Sequence, residues 1–145
     1  MYTARKSSFS QPEKLRSFII KQKLIEYILG EDFHVEILKR SKPLFRFLSQ
    51  NGGLSKEYID LLWKHNEDIH ESNKKTVFET LIELSRSLNS DNLDYIYDKI
   101  KGIPIERYDE TTIDLLKEFV LNVGTKKSLG STLTSLNSHF IIYFY

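Results

Sequence analysis

Residues 54–88 read LSKEYIDLLWKHNEDIHESNKKTVFETLIELSRSL, and residues 89–123 read NSDNLDYIYDKIKGIPIERYDETTIDLLKEFVLNV. Sliding one over the other by 35 residues makes apolar and capping positions coincide. Ser55 meets Ser90, Tyr58 meets Leu93, Leu61 meets Ile96 and Leu62 meets Tyr97. Farther along, Phe78 meets Ile113, Leu81 meets Leu116, Leu84 meets Phe119 and Leu88 meets Val123. Two helical patterns per copy at such a period are the mark of an α-solenoid, in which each unit buries its apolar stripe against the next. The repeat predicts a scaffold and brings no chemistry with it.

Upstream of the repeat the pattern stays helical. Pro12 stands where a first helical residue belongs, with Glu13 in the first turn. Leu15, Phe18, Ile19, Ile25, Ile28 and Leu29 make one stripe that Gly30 closes. Asp32 is the expected cap of the next helix, whose inward face is Val35, Leu38, Phe45 and Leu48, broadened by Ile37, Leu44 and Phe47. Pro43 lies inside that pattern and predicts a kink or split near Ser41 and Lys42. Asn51-Gly52-Gly53 is a break. Ser55 caps a third helix and His65 to Asn73 forms a polar connection. Val77, Leu81, Leu84 and Leu88, with Phe78 and Ile82, give the fourth helix a stripe wide enough for two neighbours. Asn89 or Ser90 caps the fifth, with Leu93, Ile96, Tyr97 and Ile100 inward. Asp109 caps the sixth, with Ile113, Leu116, Phe119, Val120 and Val123 inward.

The expected fold is therefore all-α: three helix pairs stacked right-handed as an armadillo- or HEAT-like α-solenoid. Residues 1–11 are expected to be a flexible N-terminus, 12–124 the helical-repeat domain and 125–145 an irregular, low-order tail. The Ser/Thr-rich run after Gly124 and the terminal FIIYFY do not continue the repeat, so the chain is expected to be a fragment.

Of the 145 residues, 40% are hydrophobic and 28% charged, with a formal net charge of +1. A near-neutral chain has no overall electrostatic preference for nucleic acid or for a membrane surface. Residues 1–46 carry ten Lys/Arg against five Asp/Glu, and residues 47–123 carry nine against fifteen. There is no cysteine, which excludes disulfides, thiolate zinc sites and a cysteine nucleophile on this chain. No run approaches the roughly 18 apolar residues that span a membrane. The expectations are an intracellular, cytoplasmic monomer with protein partners, no nucleic acid and no membrane.

Several constellations weigh less than they first suggest. His65, Glu67, Asp68, His70 and Glu71 are crowded, but the order is not H-E-x-x-H and the stretch is an expected loop. Asp109, Glu110 and Asp114 suit the positive end of a helix dipole. Gly52-Gly53 is too short for a phosphate loop, and Ser85 and Ser87 have no histidine at a defined spacing. Trp63 suits a core better than an interaction hot spot. Lys14, Arg16, Lys21, Lys23, Lys39, Arg40, Lys42 and Arg46 lack interleaved stacking aromatics. No catalytic, cofactor-binding or metal-ligating residue is assigned, and no cofactor is expected.

The run from Leu54 to Pro104 resembles the helical-repeat region of large ubiquitin-specific proteases of the fat-facets type. The resemblance rests on Leu54, Ser55, Ile59, Asp60, Leu62 and Trp63 in a first helix, followed by His70-Glu71. It continues with Leu81, Leu84 and Ser85, then Leu93-Asp94-Tyr95-Ile96-Tyr97. Upstream, His34 to Ser41 also looks like the segment that precedes it there, so about residues 12–123 are covered. The resemblance implies an armadillo-like region of a cysteine-type deubiquitinase whose Cys-box and His-box lie elsewhere. This chain is then expected to be a non-catalytic scaffold that positions partners or ubiquitin-pathway substrates. The alternative is a free-standing α-solenoid adaptor unrelated to ubiquitin. A period of 35 is near that of tetratricopeptide repeats, but their W-x-x-L-G-x-x-Y pattern is missing.

Overall fold

The computed structural model describes residues 10–67 and 70–124. Those residues are all-helical: seven α-helices and two short 3-10 turns, with no strand among them. The helices are α1 (Gln11–Lys21), α2 (Leu24–Ile28), α3 (Val35–Gln50), α4 (Lys56–Lys64), α5 (Glu71–Ser85), α6 (Ser90–Lys101) and α7 (Glu110–Gly124). Packing runs in two rows: α2 touches α4 and α4 touches α6, while α3 packs on α5 and α5 on α7. One buried cluster follows both rows from Ile19 and Ile25 through Phe45, Ile59, Leu62, Phe78 and Leu81 to Leu116 and Phe119.

Local chemistry starts these helices. Ser10 and Glu13 form a reciprocal capping box at α1, which starts at Gln11, one residue ahead of Pro12. Ser55 caps α4 and Asn89, rather than Ser90, caps α6 through the Asn92 amide at 2.9 Å. Asp109 accepts from the Thr112 amide at 2.9 Å at the start of α7.

Four expectations fail, each for a physical reason. The single stripe from Leu15 to Leu29 is cut in two because Lys23 takes a left-handed conformation with φ 54°. Ile19, Ile25 and Leu29 stay buried, whereas Leu15 and Phe18 are 47% and 55% exposed on the shorter α1. Asp32 does not cap α3; His34 does, its Nδ1 accepting from the Glu36 amide at 3.2 Å. Pro43 does not split α3, which runs unbroken to Gln50 with the proline ring on its exposed side. Ile113 is only partly covered, while Thr112, Leu115, Leu116 and Phe119 are buried. Its counterpart Phe78 lies under α7, and no described helix follows α7 to cover Ile113 in the same way.

The tail expected over 125–145 lies outside the described residues, as do residues 1–9.

Candidate interaction surface

Polar side chains cross-link the packed helices, and three of the links span 35 residues. Arg16 Nη1 donates to the Asn51 carbonyl at 2.9 Å, 35 residues on. Tyr95 donates its hydroxyl to Asp60 at 2.6 Å, again 35 residues apart. Lys74 pairs with Asp109 across the same interval. Other links span slightly more: His65 to the Leu29 carbonyl, Ser49 to Ser87, Asn92 to the Leu54 carbonyl and Asn122 to the Ile82 carbonyl, at 36 to 40 residues. These bonds tie α4 to α6 and α5 to α7.

Between α3 and α5, Lys42 and Arg46 both reach Glu83 at 3.2 Å, and Lys42 lies 3.9 Å from Glu79. Burial raises the Glu83 pKa, but the hydrogen bonds from Lys42 and Arg46 outweigh it and leave the carboxyl below its ordinary range. Asp60 shows the same balance: burial raises it, and the Lys99 and Tyr95 hydrogen bonds prevail. Two of the basic residues near the N-terminus are therefore committed to holding α3 against α5.

Between α5 and α7 the surface opens into a cleft of about 260 Å³, lined by Lys75, Phe78, Glu79, Ile82, Glu110, Thr111, Asp114 and Leu115. Around it, Thr111 donates its hydroxyl to Glu71 at 2.9 Å, and Asn122 Nδ2 reaches the Ser85 hydroxyl at 2.8 Å. These bonds link the two helices on either side of the cleft.

The crowded His/Glu stretch does not converge. His65 stacks on Phe33 with ring centroids 3.7 Å apart and bonds the Leu29 carbonyl at 2.8 Å, a structural role. Glu71 faces Thr111, while Asp68 lies outside the described residues. Among the described residues no group of His, Asp or Glu side chains is placed to hold a metal ion, and no helix is long and apolar enough to cross a membrane. Ser85 bonds the Ile82 carbonyl at 2.6 Å and Ser87 lies 2.6 Å from Ser49, so both hydroxyls serve packing. Trp63 is partly buried against the core and stacks on Phe78 at 5.8 Å. Gly52 and Gly53 form the turn after α3, Gly52 at φ +75°. Asp109 and its two acidic neighbours divide: Asp109 caps α7 and binds Lys74, whereas Glu110 and Asp114 face the cleft. Sequence reading missed the Lys74 partner, although the two residues stand one period apart.

No protein-family model matches the chain, and no solved structure matches it. Among curated proteins it is similar to Ubiquitin carboxyl-terminal hydrolase puf of Drosophila melanogaster, with 22% identity over 129 residues. It is also similar to Ubiquitin carboxyl-terminal hydrolase 34 of Homo sapiens, with 24% identity over 128 residues. These alignments cover 89% and 88% of this chain but only 3% and 4% of those proteins. The Mus musculus hydrolase 34 reaches 33% identity over 51 residues, 35% of this chain and 1% of that protein. The chain is thus distantly related, over most of its length, to a small region of ubiquitin carboxyl-terminal hydrolases; its described residues are all-helical and its sequence has no cysteine.

Proposed function

We propose that this chain is a non-catalytic, armadillo-like α-solenoid segment of a ubiquitin-specific protease, serving as a scaffold that positions partners for deubiquitination. The observation that carries this is the likeness to two hydrolases over nearly nine-tenths of the chain, in a sequence with no thiol. Support for the repeat architecture comes from cross-links that recur every 35 to 41 residues along two rows of helices. A peptidase of the resembled family needs a thiolate nucleophile, so the chain's part in such an enzyme is to bind and hold.

The coding sequence downstream of Gly124 tests this reading. A reading frame that continues into a Cys-box and a His-box supports it. A transcript encoding a free-standing helical protein transfers the scaffold role to an adaptor outside the ubiquitin system. A direct assay adds a second check: the purified chain should leave a ubiquitin–fluorophore conjugate intact, and turnover that survives repurification would overturn the non-catalytic assignment.

A further inference from the structure

We propose that the outer face of α1 docks an amphipathic helix of a partner protein, one whose apolar stripe is flanked by acidic residues. The proposal rests on the scaffold reading only in taking the occupant to be a protein; it does not depend on the link to ubiquitin.

One side of α1 is committed to the molecule. Arg16 Nη1 donates to the Asn51 carbonyl at 2.9 Å, the Arg16 stem lies against the turn at Gly53, and Ile19 is 1% exposed. The opposite side carries different chemistry. Phe18 stands two residues on from Arg16, about 200° round the helix, with Leu15 three residues before it. Both rings of contact are open to solvent: Leu15 is 47% exposed and Phe18 55%. Lys14 and Lys21, one heptad apart and so on one line of the helix, are exposed beside them. Among the described residues no ion pair engages either lysine. The face therefore offers two accessible apolar anchors with a basic flank.

The rest of the stack shows what shape fits such a face. Helix α3 is covered by α5 and α5 by α7, whereas α1 packs on α2 and leaves Phe18 uncovered. A helix laid there brings side chains three and four residues apart onto Leu15 and Phe18. Carboxylates along one flank of that helix meet Lys14 and Lys21, and a basic flank in the same place is repelled. A lipid surface matches less well. Basic segments that bind anionic lipids carry roughly four to eight Lys/Arg, whereas this face has Lys14 and Lys21 only, Arg16 being turned to Asn51.

The test uses the full 145-residue chain and a fluorescein-labelled amphipathic helical peptide with a leucine stripe and glutamates on one flank, beside a lysine-flanked counterpart. The glutamate peptide should bind by fluorescence anisotropy, weaken as salt is added, and shift backbone amides of α1 in an NMR titration. Phe18→Ala should weaken it about thirtyfold, and Lys14→Glu with Lys21→Glu about tenfold. The charge-reversed protein should in turn gain the lysine-flanked peptide, a result that misfolding does not produce. Unchanged affinity in the Phe18 variant, amide shifts centred on α5 and α7, or an absence of binding would overturn the proposal. So would nuclear Overhauser contacts from residues 1–9 to the Phe18 ring in the chain alone, a dimer that Phe18→Ala dissociates, or binding to phosphatidylserine vesicles in place of the peptide. Should circular dichroism show that Phe18→Ala is unfolded, the charge swap decides: no gain of the lysine-flanked peptide sinks the idea. A negative result leaves the hydrolase-scaffold reading standing, because that one is settled by the coding sequence.

Discussion

The Lys74 ammonium, with only 11% of its side chain exposed, lies 2.5 Å from the Asp109 carboxylate at the start of α7. The same carboxylate accepts from the Thr112 amide at 2.9 Å and the Thr112 hydroxyl at 2.8 Å. Lys74 also lies over the Phe78 ring, 5.8 Å from its centroid. One side chain thus caps α7 and neutralises a cation that α5 has carried out of water.

Asp109→Ala removes both functions. The lost cap costs about 1 kcal/mol, and an ammonium left nearly buried without its partner costs more, up to about 3–5 kcal/mol where a pair is fully buried. Asp109 is 45% exposed, so a total near 2–4 kcal/mol is expected. Asp109→Asn combined with Lys74→Met should recover most of it, because the amide still caps and the charge is gone. Urea unfolding of the wild type and the two variants measures this; a double variant as unstable as Asp109→Ala would contradict it.

Acid should loosen the α5–α7 contact. Burial raises the Asp109 pKa, yet the bonds from Lys74 and Thr112 bring it down from the ordinary 3.8 to about 2. A carboxyl whose folded pKa is depressed stabilises fully above its unfolded value and loses that contribution as pH falls toward the folded one. The window is therefore from 3.8 down to about 2. Glu83 and Asp60, lowered in the same direction, add to the loss. Urea midpoints measured through that window should fall for the wild type and fall less steeply for Asp109→Asn. Equal slopes would show that the pair does not couple to folding.

Trp63 should act as a structural residue at the edge of the core. It is partly buried, stacks on Phe78 and its carbonyl accepts from the Asn66 amide group. Trp63→Ala is expected to cost about 3 kcal/mol, at the low end for large-to-small changes because the ring is partly open to solvent. Trp63→Phe should retain most of the stability. An alanine variant with an unchanged melting temperature would move Trp63 to the surface and favour a binding role.

The two adjacent glycines should respond differently to alanine. At Gly53 a Cβ would come within 2.7 Å of Leu48 Cδ2, whose residue is fully buried and cannot yield. Overpacking of this kind costs about 1–3 kcal/mol. At Gly52 a Cβ would meet only Arg16 Nη1, at an ordinary 3.7 Å, but φ is +75°, so Gly52→Ala pays backbone strain of about 1 kcal/mol. Thermal melts should rank Gly53→Ala below Gly52→Ala, and the reverse order would show that the turn, not the packing, limits this corner.

The sequence by itself determined most of the helices, the caps of α4, α6 and α7, and most of the core. Apolar spacing depends only on neighbours along the chain, and Ser55, Asn89 and Asp109 cap through bonds three residues away. It also held more than its apolar stripes: Arg16 with Asn51, Asp60 with Tyr95 and Lys74 with Asp109 each stand one 35-residue period apart and each touch. Tertiary structure alone decided which faces are covered. Phe78 and Ile113 are equivalent in the repeat, but only Phe78 has a described helix laid over it. Leu15 and Phe18 continue an apolar stripe that a left-handed Lys23 turns away from the core. Glu79 and Asp114 also stand one period apart, but that they line one cleft is decided only by the way α5 and α7 pack side by side. Burial and a shared cleft are properties of neighbours in space, which a pattern along one helix does not contain.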